Sequence, residues 1–171
     1  MRPPALPNPR AVEDVPPAGL ILDRSTHDRI IAHLRAGLPN EACGLLATGN
    51  GAEGSMVGGA EWTMHFYPGA NIDGSPSRYT IDPVELFAAF RDMEAHGWRL
   101  GAIVHSHPVS PPTPSPTDLR EAYYPGALML IVSFRTGQPE MRAWRVEAGS
   151  PPSTVVEAPV FVMERGSRGG R

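Results

Sequence analysis

Lysine is absent from this chain, so all 15 of its basic residues are arginine. Together with the Ala, Gly, Pro and Arg richness, that absence points to a biased base composition. One cysteine, Cys43, excludes an internal disulfide and fits a reducing compartment. Aromatic residues make up 7% and the net charge is -3, with no basic stripe interleaved with aromatics, which argues against a nucleic-acid partner. No apolar run approaches the roughly 20 residues of a membrane-spanning helix, and the N-terminus lacks an apolar signal region. The expected location is cytoplasmic, away from any membrane. What is present fits one compact unit: 171 residues are enough to bury a sizeable core.

The chemistry concentrates in His105-Ser106-His107-Pro108 and, after a Pro-rich stretch, Ser115-Pro116-Thr117-Asp118. Side chains alternate along a strand, so His105 and His107 project to one side and can present two imidazoles to one cation. Pro108 ends that strand, and the loop from Val109 to Pro114 leads to a helix start where Asp118 can return as a third ligand. Three protein ligands leave a fourth position of tetrahedral zinc open to water, whose pKa then falls to roughly 7. Each piece has a blander meaning. Ser115 to Asp118 is also a good helix N-terminus, with Ser at the cap, Pro at the first position and an acid at the third. A lone His-x-His is most often ordinary surface or core. The conjunction favours a metal, and no HExxH helix, HxHxDH or cysteine pair offers a competing zinc pattern.

These residues resemble the JAMM (MPN+) zinc metalloprotease signature: His-[Ser/Thr]-His-Pro, six residues, Ser, two residues, Asp. The segment Glu41-Ala42-Cys43-Gly44-Leu45-Leu46 resembles the family's upstream strand with its glutamate. The stretch Asn71 to Pro83 is similar to small prokaryotic members of the CysO-cysteine peptidase and desampylase type. The resemblance covers about residues 20 to 163. It implies an α/β fold: a single MPN domain (JAB1/MPN, cytidine-deaminase-like) with a central mixed sheet flanked by helices. It further implies Zn²⁺ held by His105, His107 and Asp118, Glu41 as general base, and Ser115 as oxyanion donor through its hydroxyl. Such proton transfer is typically worth roughly 10²–10⁴ in rate. The alternatives are a surface acid at Glu41 after the Leu38-Pro39-Asn40 turn, and a simple cap at Ser115.

Residues 1 to 19, with six prolines between Pro3 and Pro17, are expected to form an extended leader. The domain then spans 20 to 163, and 164 to 171 form a Gly/Arg tail. Within the domain, Leu20-Ile21-Leu22 is a short strand, and Ser25 caps a helix that buries Ile30, Ile31, Leu34 and Leu38. Asn40 to Thr48 is a buried strand and Gly49 to Gly59 a glycine-rich turn. Trp62, Met64 and Phe66 face inward from the next strand. Asp82 to Glu85 opens the second helix as a capping box, with Leu86, Phe90 and Met93 inward and Gly97 as its stop. Leu100 to His107 carries the ligands, Ala127 to Phe134 reads as a central strand, and Met141 to Val146 and Val155 to Met163 complete the sheet.

Cys43, two residues after Glu41, faces either as a redox-sensitive thiol near the metal or as a small buried hydrophobe. His27, His33, His65 and His96 have no partner at ligand spacing, and His96 suits a helix C-terminus. By resemblance, the substrate is an amide or isopeptide bond after the C-terminal Gly-Gly of a ubiquitin-like or sulfur-carrier β-grasp protein. The tail would thread a groove between the Asn71 to Tyr79 and Val109 to Pro114 loops, with β-strand addition as the docking mode. A related alternative is a CysO-type peptidase that releases cysteine from a sulfur carrier. A non-catalytic MPN scaffold is the other class, although scaffolds usually lose the zinc ligands that this chain retains. The resemblance also allows a homodimer. Lysine-linked modifiers offer a second explanation for the missing lysines, weaker than base composition.

Overall fold

The computed structural model describes residues 16–49, 59–147 and 154–164. Its elements run β1 Gly19–Asp23, α1 Arg24–Ala36, β2 Cys43–Gly49, β3 Ala60–Gly69, α2 Pro83–His96, β4 Trp98–His107, α3 Pro116–Arg120, β5 Leu128–Ser133, β6 Glu140–Glu147, β7 Thr154–Ala158 and β8 Val160–Met163. The expectations for residues 1–15, 50–58 and 165–171 lie outside the described residues. Among the described residues, no helix is long and apolar enough to cross a membrane.

The strands form one mixed eight-stranded sheet in the order β7-β6-β5-β4-β2-β3-β1-β8. Sequence reading takes Val155 to Met163 as a single strand, but Pro159 divides it, and the two halves lie on opposite edges of the sheet. A flat sheet of that width would be about 34 Å across at a strand spacing of about 4.8 Å, which one intervening residue cannot span. The sheet therefore curls until its edges meet at Pro159. There Ala158 pairs with Ala143 on β6, while the Pro159 carbonyl accepts the Leu20 amide of β1 at 2.9 Å.

Strand alternation sorts the core onto two faces. Leu46, Phe66, Val104 and Leu130 pack with Ile30 and Leu34 of α1 on one side. Leu45, Ala47 and Leu100 pack with Phe90 and Met93 of α2 on the other. β5 is buried along its whole length, as its uninterrupted apolar sequence requires. It runs parallel to β4 and antiparallel to β6.

Two irregularities bend the sheet beside Ala47 and Thr48. The β2–β3 register skips Met64, and the β2–β4 register skips Gly101. Each extra residue reverses the alternation. Met64 consequently points out, 37% exposed, and Thr63 is buried in its place, where it donates to the Ile21 carbonyl at 3.2 Å. Gly101 lies so close to Thr48 that a Cβ would overlap the threonine side chain.

Helix ends differ in detail from expectation. Asp23, not Ser25, caps α1: its carboxylate accepts the Thr26 amide at 2.7 Å, and Ser25 merely donates to the same carboxylate. Leu38 is exposed beyond the end of α1. Asp82 caps α2 as expected, but the capping box is incomplete because the Glu85 carboxylate instead accepts the amide of Ala70. Gly97 ends α2 at φ 67°, a left-handed conformation that glycine adopts without strain.

Candidate active site

β4 delivers the histidines. His105 is paired with Cys43 on β2 and Ile131 on β5, deep in the sheet, and the strand ends at His107 before Pro108. Alternation puts both imidazoles on one face, fully or almost fully buried, and turns Ser106 to the opposite face. Ser106 there grips the segment that precedes β2: its hydroxyl accepts the Ala42 amide at 2.9 Å, and its own amide donates to the Ala42 carbonyl at 3.0 Å.

The Pro-rich loop is fixed through carbonyls, the one backbone hydrogen-bonding group that proline keeps. Ser133 Oγ donates to Ser110 O, Trp144 Nε1 to Pro112 O at 2.7 Å, and His107 Nδ1 to Pro111 O at 2.7 Å. The last contact fixes a tautomer. A carbonyl can only accept, so Nδ1 holds a proton, and in the neutral ring the lone pair belongs to Nε2, which faces the site.

Asp118 arrives from α3. Ser115 Oγ accepts the Asp118 amide at 3.1 Å, and Asp118 Oδ2 accepts the Ser115 amide at 2.7 Å, so the capping box is complete. The cap and the site thus use the same carboxylate. Its oxygens lie 3.3 Å from His105 Nε2 and 3.2 Å from His107 Nε2, and the two Nε2 atoms are 3.1 Å apart. Burial opposes charge on Asp118, yet the two histidines and the Ser115 amide outweigh it and hold the carboxyl well below the usual carboxylate range. His105, fully enclosed, is pushed down by burial. Burial also works against protonation of His107, but Asp118 and the Pro111 carbonyl outweigh it and raise the pKa.

This donor set fits a divalent cation. One ligand atom from each of His105, His107 and Asp118 lies within 4.8 Å of the others. Two ligands at about 2.0–2.1 Å from a tetrahedral zinc would be about 3.3 Å apart, close to the separations found here.

Glu41 sits just before β2, 6% exposed, and its Oε2 has no hydrogen-bond partner among the described residues. Burial foremost raises its pKa from about 4.5 to about 7; Asp118 adds to the rise and His107 opposes it. A carboxyl with that pKa can take up and release a proton near neutrality. Beside it, His33, Gly37, Asn40, Asn71 and Gly74 help line an open cleft of about 320 Å³ between the end of α1 and the segment after β3. That cleft adjoins the Asn71 loop named from sequence.

Cys43 is on the face of His105 but takes no part in the cluster. Its thiol approaches the Gly69 carbonyl at 3.8 Å, and burial foremost pushes its pKa up to about 12. Its burial fits the small-hydrophobe alternative. The other histidines are engaged elsewhere: His33 Nε2 contacts the Cys43 carbonyl at 2.9 Å, His27 contacts Asp28, His65 packs edge-on against Tyr67, and His96 contacts the Asp92 carbonyl at the end of α2. Sequence reading overlooked Tyr79, whose ring stacks on His105 at 4.7 Å. It also overlooked the grip of Ser106, which alternation alone could have suggested.

Comparison with known proteins agrees with this fold. Residues 23–147 match the family model described as prokaryotic homologs of the JAB domain. The chain is 33% identical over 147 residues to the CysO-cysteine peptidase of Mycobacterium tuberculosis, covering 85% of this chain and 92% of the relative. It is 33% identical over 119 residues to the desampylase of Haloferax volcanii, covering 67% and 80%. A solution structure of a protein from Desulfitobacterium hafniense superposes with a TM-score of 0.69 at 33% identity, covering 85% of this chain and 93% of that one. Sheet, site and sequence converge, and the chain belongs to the prokaryotic JAB (JAMM/MPN) family.

Proposed function

We propose that this protein is a zinc metallopeptidase that hydrolyses the bond following the C-terminal Gly-Gly of a ubiquitin-like or sulfur-carrier β-grasp protein. The observation that carries the proposal is the convergence of His105, His107 and Asp118 beside a buried glutamate with a pKa near 7. Bound zinc would supply a Lewis acid that polarises the scissile carbonyl and acidifies water at pH 7. His105, His107 and Asp118 would hold it; Glu41 takes the proton from the attacking water and passes it to the leaving amine. Ser115 is half-buried, and its hydroxyl oxygen accepts the Asp118 amide, which leaves its own proton available for the developing oxyanion. Relatives named as a CysO-cysteine peptidase, a desampylase and, in Thermus thermophilus, a probable TtuB-protein conjugate cleaving protease support a protein-conjugate substrate.

The first of those names favours a second reading of the leaving group, a cysteine released from a sulfur carrier rather than a lysine isopeptide. One experiment addresses both. A carrier is prepared ending in Gly-Gly-Cys, as a Gly-Gly-lysine isopeptide, and with Gly-Ala at the cleavage position, and products are followed by mass spectrometry. Both Gly-Gly forms should be cut and the Gly-Ala form spared. Equal cleavage of all three, or of unrelated peptides, would mean a general peptidase.

A further inference from the structure

Glu41 has an unusual problem of placement. Its Oε2 has no partner among the described residues, so its carboxylate is aimed largely by the backbone. That backbone lies outside the ladders of β2, which begin at Cys43, opposite Gly69 and His105. Four hydrogen bonds hold it instead. Ser106 takes both groups of Ala42, and the other two bonds come from the segment after β3. The Glu41 amide donates to Ser75 O at 2.9 Å, and the Glu41 carbonyl accepts from Asn71 Nδ2 at 2.9 Å.

Asn71 reaches further. Its Nδ2 also donates to Arg78 O at 3.0 Å, while its Oδ1 accepts the amides of Asp73 at 3.0 Å and Thr80 at 3.1 Å. A primary amide has two donor hydrogens and two acceptor lone pairs, and all four are used here. Of the two groups, the acceptor bonds only within the loop, whereas the donor bonds the loop at Arg78 and also ties it to Glu41. The carboxylate of Asp would keep both acceptor bonds and lose both donor bonds.

We propose that Asn71 is the positioning residue of the general base: its side-chain amide locks the 71–80 loop onto the Glu41 carbonyl and so sets where the Glu41 carboxylate stands relative to His105, His107 and Asp118. This rests on the assignment of Glu41 as the base. The four hydrogen bonds of the Asn71 side chain go to Glu41 and to the 71–80 loop, and none goes to His105, His107 or Asp118.

The test uses the zinc-loaded full chain, with Asn71→Ala and Asn71→Asp, the latter retaining both acceptor bonds of the loop. Crystal structures should show the Glu41 carboxylate displaced by about 1 Å while the three ligands and the zinc content stay unchanged, a displacement that can cost about 10²-fold in rate. Against a β-grasp carrier ending in Gly-Gly-Cys, kcat should fall by up to that factor and KM by less than about threefold, and the loss should disappear in a Glu41→Gln background. Glu41 unmoved in both variants, or losses that multiply in the double variant, would overturn the proposal. A parent-level rate for Glu41→Gln would refute the base assignment instead; in that case, or if the carrier is not cut, the crystallographic comparison decides the positioning by itself.

Discussion

The Pro111 carbonyl accepts the Nδ1 proton of His107 at 2.7 Å, and that contact leaves Nε2 of His107 facing Asp118, 3.2 Å away. The loop therefore helps to support the cluster of His105, His107 and Asp118, holding a proton on Nδ1 of one imidazole. Metal content should depend on the three converging side chains. The purified protein is expected to hold about one zinc per chain. A His105→Ala, His107→Ala double variant should hold almost none, and full zinc in that variant by elemental analysis would remove the assignment.

Glu41 and Ser115 should separate in their effects. Glu41→Gln keeps the shape of the side chain and should retain fold and zinc while losing about 10²–10⁴ in turnover. Ser115→Ala should lose about 10²–10³ in kcat as an oxyanion donor, with a cap loss of about 1 kcal/mol in thermal or denaturant unfolding. A Ser115→Ala enzyme with the parent kcat but reduced stability would leave Ser115 as a cap alone.

The raised pKa of Glu41 gives a pH signature in the metal-free protein. Its folded value, about 7, lies above the ordinary value of 4.5, so the folded state binds the proton more tightly. Stability from this group is present below pH 4.5 and is lost as the pH rises toward 7, by at most about 3 kcal/mol. Glu41→Gln should flatten that part of the stability profile, measured by urea unfolding between pH 4.5 and 8. In turnover the sign reverses, because the base works only as the carboxylate: the rate should rise with pH on the acid limb, at or below about 7 once a nearby cation favours the charged form.

Cys43 should be inert in the folded protein. With its pKa pushed up to about 12 and the side chain fully buried, almost no thiolate forms at neutral pH. Native protein treated with iodoacetamide at pH 8 should remain unmodified by mass spectrometry, whereas protein unfolded in guanidinium should be fully alkylated. Rapid labelling of the native state would restore the redox alternative.

What the sequence by itself determined is whatever depends on near neighbours. The period of two along Leu100 to His107 places His105 and His107 together, and the three-residue spacing of Ser115 and Asp118 makes a capping box that also aims a ligand. Gly97 stops α2 through its own left-handed backbone and the bonds of its amide to the preceding turn. Other features required the folded chain. Met64 and Thr63 exchange faces because a bulge against β2 resets the alternation, and no pattern within β3 announces the partner's register. Val155 to Met163 divides at Pro159 because the sheet curls, a property of all its strands together. Asn71 meets Glu41 across 30 residues, and burial foremost, with neighbouring carboxylates adding to it, moves the proton affinities of Glu41 and Cys43 far from their ordinary values. Hydrogen-bond partners distant in the chain and the loss of water around a charge exist only after the chain has folded, so the grouping of His105, His107 and Asp118 was legible beforehand and the setting of Glu41 was not.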